Sequence, residues 1–253
     1  MVSSADIEEA LHRLYIAAPQ ASLRKEERKK AAELAGMLDA IDKLVKTTAS
    51  GRPLRLVDAA AGKAYVGLLA AELILAKKSR RGQVTLIESD GGRAAACRQA
   101  VAGVRAPGVE IAVVEADVAD AWAWPQGPDI VVALHACGPA SDQVMRQAIA
   151  CQARHLLLVP CCTSKNVAAT ALAVRRADAL AVPRQAEVRR RFIQSMVDSE
   201  RTLALEAAGY ETCVVPFVPP TLTPHNLLWR ARRVGEPRRM AFAARKLSQF
   251  LAP

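Results

Sequence analysis

The stretch LRLVDAAAGKAYVGLLAA, residues 54–71, decides the fold. It begins with an apolar run that ends on Asp58, passes through a turn of small residues at 59–62, and continues as an apolar helical pattern. A strand, a tight turn and a helix in this order form the first unit of an α/β sheet. The turn either holds a nucleotide-like ligand or only connects the strand to the helix, and the rest of the sequence must decide.

Apolar segments alternate with helical patterns along the following residues. Continuous apolar runs predict strands that are covered on both faces, as in a parallel sheet. These predicted strands are 54–58, 83–88, 109–117, 128–138 and 154–162, and the predicted helices are 63–77, 91–104, 139–152, 165–181 and 184–208. Two more strands, 209–219 and 225–233, are joined by a Pro/Thr-rich loop without a helix, so they should pair antiparallel.

We therefore predict a doubly wound α/β sheet of seven strands, mostly parallel and ending in an antiparallel hairpin. This is the Rossmann-like architecture of the class I fold that binds S-adenosylmethionine, whereas dinucleotide folds end with further parallel strands. The sequence predicts three parts: an N-terminal helical extension over 1–50, the sheet domain over 51–235, and a C-terminal helix within 236–253.

The composition excludes several classes of protein. No apolar run reaches the roughly 18 residues of a membrane span, and the first residues, MVSSADIEEALHRLY, do not predict a signal peptide. The six cysteines show no Cys-x-x-Cys spacing, which favours reduced thiols in the cytoplasm and no metal site. We expect no membrane partner, and nothing in the pattern fixes an oligomeric state.

Positive charge is concentrated towards the C-terminus. The net charge is +10, and residues 170–253 hold 14 Lys/Arg against 7 Asp/Glu. Such a surface attracts polyanions, with RNA as the obvious candidate partner. The alternative is an arginine-rich surface that is only solvated.

Acidic residues end three successive predicted strands: Asp58, Glu88 and Asp117. The carboxyl ends of parallel strands lie along the edge of the sheet where ligands bind. A carboxylate at position 58 would repel a pyrophosphate, and the G-x-G-x-x-G fingerprint of dinucleotide-binding folds is absent. The same carboxylate would instead attract a ligand that carries an ammonium group. Glu88 suits both hydroxyls of a ribose, and Asp117, followed by Val118, suits the exocyclic amine of adenine. The alternative is that these residues cap helices.

Several motifs together carry a family resemblance: VDAAAGKAYVGLLAA, IESD, ALHACGPASD, VPCC and TPHNLLWRA. They resemble the methyltransferase domain of the glutathione-S-transferase C-terminal-domain-containing protein and its relatives, over about 53–233. That domain is similar to eukaryotic tRNA 2′-O-methyltransferases that carry a paired-Cys motif. The resemblance implies a class I fold, S-adenosylmethionine as cofactor and methyl transfer, but fixes no substrate.

The first loop departs from the family pattern. Such families usually show Gly-x-Gly-x-Gly, but here Ala60 and Ala64 replace the outer glycines and only Gly62 remains. If position 60 needs a positive φ, alanine there is strained by roughly 1 kcal/mol. We still assign Ala60 and Gly62 to the cofactor site.

His135 is the candidate catalytic residue. In this fold the residues after the fourth strand face the methyl group, and here they are Leu134-His135-Ala136-Cys137-Gly138. A histidine titrates near neutral pH and suits a base or a substrate-orienting group that also borders the cofactor. The alternative is that His135 braces the turn through a backbone carbonyl.

Other residues leave two interpretations open. Cys137, Cys161 and Cys162 should lie near one another, either as packing residues or as a reactive thiol or metal site. Trp122 and Trp124 either cover the adenine or shield the sheet edge. Asn226 either lines the acceptor pocket or caps its own loop.

Three functions are compatible with these patterns. The first is an S-adenosylmethionine-dependent methyltransferase with an unidentified acceptor, RNA being one candidate. The second is a non-catalytic module of the same fold that binds RNA or protein, favoured by Ala60 and Ala64. The third is a nicotinamide-dependent oxidoreductase, which the missing glycine fingerprint and the antiparallel ending disfavour.

Overall fold

The computed structural model describes residues 2–16, 25–136, 138–160, 166–223 and 226–252. Its strands are β1 (Leu54–Ala59), β2 (Gly82–Glu88), β3 (Val109–Glu115), β4 (Ile130–Ala136), β5 (His155–Pro160), β6 (Tyr210–Pro216) and β7 (Leu227–Arg233). Its helices are α1 (Ser4–Leu11), α2 (Lys25–Thr47), α3 (Tyr65–Ala70), α4 (Gly91–Ala102), α5 (Ala140–Ala150), α6 (Ala168–Ala179), α7 (Ala186–Ala207) and α8 (Pro237–Leu251). A π-helical turn follows α1 at His12–Ile16, and another continues α3 at Ala71–Leu75.

The strands form one seven-stranded sheet in the order β3-β2-β1-β4-β5-β7-β6. The pairs among β1 to β5 are parallel, and β7 runs antiparallel to both β5 and β6. The predicted doubly wound sheet with an antiparallel ending is confirmed. The strand order reverses between β1 and β4, so the carboxyl end of β1 lies at the switch point where open α/β sheets bind ligands.

Side chains alternate between two apolar cores, one on each face of the sheet. In β1, Leu54 and Leu56 face one core, and Val57 and Ala59 face the other, as the period of two in a strand requires. The first core also contains residues from α1, α2, α3 and α4, and the second contains residues from α5 and α7. The helices predicted as an N-terminal extension thus share a core with the sheet.

A helical hairpin of α6 and the first half of α7 projects beyond the carboxyl edge of the sheet. Helix α7 has 22 residues and is therefore about 33 Å long, whereas the seven-residue β6 spans about 23 Å. Leu205 near its end packs in the sheet core, and Arg201 contacts Asp142 in the first turn of α5. The part of α7 before Arg201 packs against α6 in a small separate core, which contains Val167, Ala173 and Val197.

None of the helices in the described ranges has an apolar stretch long enough to cross a lipid bilayer.

Candidate active site at the carboxyl edge of the sheet

The turn after β1 takes a left-handed backbone at three alternate positions. The φ angles are 54° at Ala60, 60° at Gly62 and 57° at Ala64. A Gly-x-Gly-x-Gly loop would adopt these angles without strain, but alanine pays roughly 1 kcal/mol at each position because its Cβ crowds the backbone. The condition under which Ala60 is strained is therefore met, because its φ is positive.

Contacts from three elements hold this strained turn. The backbone N–H of Ala61 donates to the Ile87 carbonyl over 2.9 Å, and that of Gly62 donates to Glu88 Oε2 over 2.7 Å. On its outer side, the Cys97 thiol donates to the Gly62 carbonyl over 3.3 Å, and the Tyr15 hydroxyl donates to the Lys63 carbonyl over 2.6 Å. The turn is thus bonded to β2, α4 and the N-terminal segment.

Asp58 lies beneath the turn and is buried, with 2% of its surface exposed. Its Oδ2 accepts the N–H of Gly67 in α3 over 2.8 Å. Glycine at position 67 permits this close approach, because a Cβ there would overlap Leu86 Cδ2 and lie 3.1 Å from Asp58 Oδ2. Burial raises the pKa of Asp58 to about 7, and the charge of Glu88 adds to that rise, while the Gly67 N–H and the charge of Lys30 act against it.

Glu88 ends β2 and points towards the turn. Its Oε2 accepts the Gly62 N–H, and its Oε1 accepts the Asp90 N–H over 3.0 Å. A carboxylate has about four acceptor positions. One position on each oxygen is therefore left for another donor, which is the arrangement that two neighbouring hydroxyl groups require.

Asp117 follows β3 and is exposed. Its Oδ1 accepts the Ala119 N–H over 2.8 Å, so it also organises the local turn. The next residue, Val118, is buried, and its carbonyl accepts Trp124 Nε1–H over 3.0 Å. Trp124 is 5% exposed and packs in the sheet core, whereas Trp122 is 72% exposed on the following 3₁₀ turn. Of the two tryptophans, Trp124 shields the sheet.

His135 sits at the end of β4 in a strained conformation. Its φ is 63°, and the register of β4 with β5 shifts between Leu134 and Ala136. Its Nε2 lies 2.9 Å from Oε2 of Glu33 in α2, and Glu33 is 6% exposed. Sequence analysis missed Glu33, although a glutamate beside Leu34 and Met37 on the apolar face of α2 is the signal that marks it.

Other residues near this edge either have structural contacts or lie outside the described residues. Asn226 donates Nδ2–H to the Val218 carbonyl over 2.9 Å, so it caps its loop. Tyr65 packs edge-on against Tyr15 with ring centroids 4.6 Å apart. Cys137, Cys161 and Cys162 lie outside the described residues. Within the ranges that the structure describes, no three His, Cys, Asp or Glu side chains form a potential metal site.

The residues present fit an adenosyl ligand. A Cβ built on Gly62 would meet no atom within 4 Å, so space is open beside the turn. Asp58, Glu88 and Asp117 occur at or just after the carboxyl ends of β1, β2 and β3, which are neighbours in the sheet. The edge therefore presents carboxylates in sequence next to an open turn, with His135 on the other side of the switch point.

The strand order and the antiparallel ending of the sheet define a class I methyltransferase fold. Residues 29–169 match the family model described as "Methyltransferase domain", and the chain belongs to this family. It matches no curated protein at a significant level of sequence similarity.

Two solved structures illustrate the fold. The first is magnesium protoporphyrin IX methyltransferase from Synechocystis PCC 6803 with bound S-adenosylhomocysteine, at 13% identity and a TM-score of 0.53, covering 89% of this chain and 94% of that one. The second is the CMeT domain of the citrinin polyketide synthase, at 15% identity and a TM-score of 0.51, covering 90% of this chain and 60% of that one. At these identities the likeness shows the fold, and the predicted cofactor is of the kind bound in the first structure.

Proposed function

We propose that the protein is an S-adenosylmethionine-dependent methyltransferase. The observation that carries the proposal is the bond from the Gly62 N–H to Glu88 Oε2 in a turn with three left-handed residues. It joins the turn at the switch point to a carboxylate that keeps acceptor positions for a ribose. A turn that only connected β1 to α3 would not need this left-handed backbone, which lets the chain approach a ligand closely.

Each predicted residue has a role in this proposal. The carboxylate of Glu88 accepts hydrogen bonds from the two ribose hydroxyls, and Asp117 accepts one from the adenine amine while Val118 provides an apolar contact. The backbone at Ala60 and Gly62 approaches the methionine part closely, and Asp58 attracts its ammonium group when it is ionised. When bound, the cofactor supplies an electrophilic methyl group.

Most of the rate enhancement in such a displacement comes from aligning the nucleophile with the methyl carbon and the sulfur. The chain then has to orient the acceptor and receive its proton. His135, at the end of β4, is the residue that we assign to this task, because a neutral imidazole has one ring nitrogen that can accept a proton. Bracing of the turn is the competing role for this side chain.

We also propose that the acceptor is an RNA. Support comes from the α6–α7 hairpin, which carries six arginines and only two acids over residues 168–191. Six arginines against two acids give the hairpin a net charge of +4, and both acids are paired, Asp178 with Arg189 and Glu187 with Arg190. It projects on the side of the sheet where the acceptor would approach, and a phosphate backbone would complement it. The resemblance to tRNA 2′-O-methyltransferases agrees with an RNA acceptor. The paired cysteines of the VPCC motif lie outside the described residues. The cytoplasmic location of the protein stays a prediction.

The test is transfer of tritium from S-adenosyl-[methyl-³H]methionine into fractionated cell extract, with nuclease and protease treatment of the product. We expect label in a nuclease-sensitive fraction with the wild type, and none with Glu88→Ala. Glu110→Gln is the matched control, since Glu110 is exposed at the amino end of β3, away from the carboxyl edge, and its side chain accepts a hydrogen bond from Gln83. Protease-sensitive label would replace RNA with a protein acceptor.

The strain at Ala60 and Ala64 favours a second candidate, a non-catalytic module that binds RNA or protein. Calorimetry separates the two. No binding of S-adenosylmethionine to the wild type, together with retained RNA binding, would establish the module and reject methyl transfer.

A further inference from the structure

An acidic residue of the N-terminal helix α2 is bonded to the histidine at the end of β4. Glu33 Oε2 lies 2.9 Å from His135 Nε2, although the two residues are 102 positions apart in the chain. Glu33 is 6% exposed. A carboxylate is buried to this extent only where hydrogen bonds and charges compensate for its lost hydration, so its position indicates a specific pairing.

The backbone of β4 is distorted at the residue that makes this pairing. His135 has a φ of 63°, in a region that residues other than glycine rarely adopt. The register with β5 shifts at the same place, between Leu134 and Ala136. Irregularities of this type redirect a side chain, and strained residues of this type cluster at active sites. The strand thus departs from regular geometry at the residue whose ring meets Glu33.

A lysine one turn earlier in α2 holds the carboxylate in its ionised form. Lys30 Nζ lies 3.4 Å from the same oxygen, Glu33 Oε2. Burial acts to raise the pKa of Glu33, but the hydrogen bond with His135 and the charge of Lys30 outweigh it and hold that pKa below its ordinary value. An anionic carboxylate beside Nε2 favours the tautomer that carries hydrogen on Nε2.

We propose that Glu33 is the positioning residue of His135 in methyl transfer, fixing the ring orientation and the Nε2–H tautomer. The neutral ring then carries its lone pair on Nδ1, which is the atom that would receive a proton from the acceptor. This inference rests on the proposed function, and it makes α2 a part of the catalytic site. The pairing of a carboxylate with a histidine is the arrangement by which enzymes set the tautomer and orientation of a general base.

The first test does not need the acceptor. Spectra of the full chain labelled with ¹⁵N-histidine report the tautomer of each of its four histidines, and loss of a signal in His135→Gln assigns His135. We expect the Nε2–H tautomer in the wild type, a mixture of tautomers in Glu33→Ala, and the wild-type form in Glu33→Gln, whose amide oxygen still accepts. Asp39→Asn is the matched control, an acid in the same helix that pairs with Lys43. An unchanged signal in Glu33→Ala, or the Nδ1–H tautomer in the wild type, would overturn the proposal.

The second test uses the methyl-accepting fraction. We expect Glu33→Ala to lower kcat by roughly tenfold or more without changing KM for S-adenosylmethionine, because a misaligned base affects the chemical step. Glu33→Gln should restore part of kcat, and adding Glu33→Ala to His135→Gln should cost nothing further. Wild-type kcat in Glu33→Ala would overturn the proposal.

Two comparisons keep the tests decisive. If Glu33→Ala does not fold, the isosteric Glu33→Gln decides, since a purely structural bond would leave its kcat at the level of Asp39→Asn. If the wild type transfers no methyl group, the proposed function fails, and the tautomer measurement alone confirms or overturns the pairing.

Discussion

The backbone N–H of Gly62 donates to Glu88 Oε2 over 2.7 Å, so the turn after β1 is fixed by the residue that ends β2. One carboxylate therefore has two tasks. It compensates for the strain of a turn in which alanines occupy left-handed positions at 60 and 64, and it keeps acceptor positions towards the ligand. The turn and the ribose site that we propose are coupled through this side chain.

Loss of the Glu88 carboxylate should weaken cofactor binding strongly. We expect Glu88→Ala to lower the affinity for S-adenosylmethionine by about 2–4 kcal/mol, since two hydrogen bonds to a charged group and the support of the turn are lost together. Titration calorimetry measures this change. Glu110→Gln should bind as the wild type does, and equal affinity in both variants would exclude Glu88 from the site.

Glycine at position 60 should stabilise the protein. Ala60 has a φ of 54° and is only partly buried, so Ala60→Gly loses little packing. It relieves strain of about 1 kcal/mol or more, which offsets the roughly 0.5–1 kcal/mol that glycine costs by freeing the unfolded chain. Urea unfolding should show a higher midpoint with an unchanged slope. Ala61→Gly is the matched control, because Ala61 lies in the same turn, is equally half-buried and has no positive φ. It should lower the free energy of unfolding by about 0.5–1 kcal/mol, because glycine frees the unfolded chain. An equal loss in Ala60→Gly would show that no strain is stored at position 60.

Strand positions and topology were predictable because their signals are local. The apolar run of β1 and the absence of a helix between β6 and β7 were sufficient to predict a doubly wound sheet with an antiparallel ending, which the structure confirms. The helix predicted over 63–77 begins only at Tyr65 and continues as a π-helical turn from Ala71, since the left-handed Ala64 delays its start. The sequence did not predict whether Ala60 has a left-handed backbone, because sequence alone does not fix φ. It predicted only that alanine would be strained at this position if φ were positive.

Glu33 was not predictable as a partner of His135. The contact joins residues from two distant elements, and only tertiary packing brings α2 over the end of β4. The two tryptophans illustrate the same limit. Trp122 and Trp124 are two positions apart with the same chemistry, yet Trp124 is 5% exposed and Trp122 is 72% exposed, since a 3₁₀ turn directs them differently. Local patterns identify strands and their ends, but not the side chains that meet above them.

Asp58 should make stability depend on pH in a direction opposite to that of most carboxylates. Its pKa is about 7 in the folded protein against an ordinary value of 3.8, so between these pH values the folded state holds a proton that the unfolded state has lost. The stabilising effect is fully present below pH 3.8 and is lost as pH rises to about 7, at about 1.4 kcal/mol per pH unit.

Asp58→Asn isolates this contribution, because its amide oxygen still accepts the Gly67 N–H but does not titrate. We expect the variant to gain stability relative to the wild type as pH rises from about 4 to 7, with a constant difference above that. Urea unfolding of both proteins across this range measures the difference. A difference that does not vary with pH would show that Asp58 is ionised throughout in the folded protein.

The arginines of the α6–α7 hairpin should determine the salt dependence of RNA binding, if RNA is the acceptor as we propose. Arg190 and Arg191 lie in the exposed first half of α7, and Glu187 is near both. We expect the double variant Arg190→Ala/Arg191→Ala to bind RNA more weakly and to reduce the slope of log K against log salt by about 1 to 2. The reason is that binding releases fewer counterions from the RNA when fewer phosphates are contacted. Arg81→Ala/Arg105→Ala is the matched control, since both arginines are exposed at the opposite edge of the sheet, before β2 and before β3. An equal loss of slope in both double variants would mean that RNA contacts the protein by its overall charge, and a wild-type affinity that does not vary with salt would exclude a phosphate-mediated interface at the hairpin.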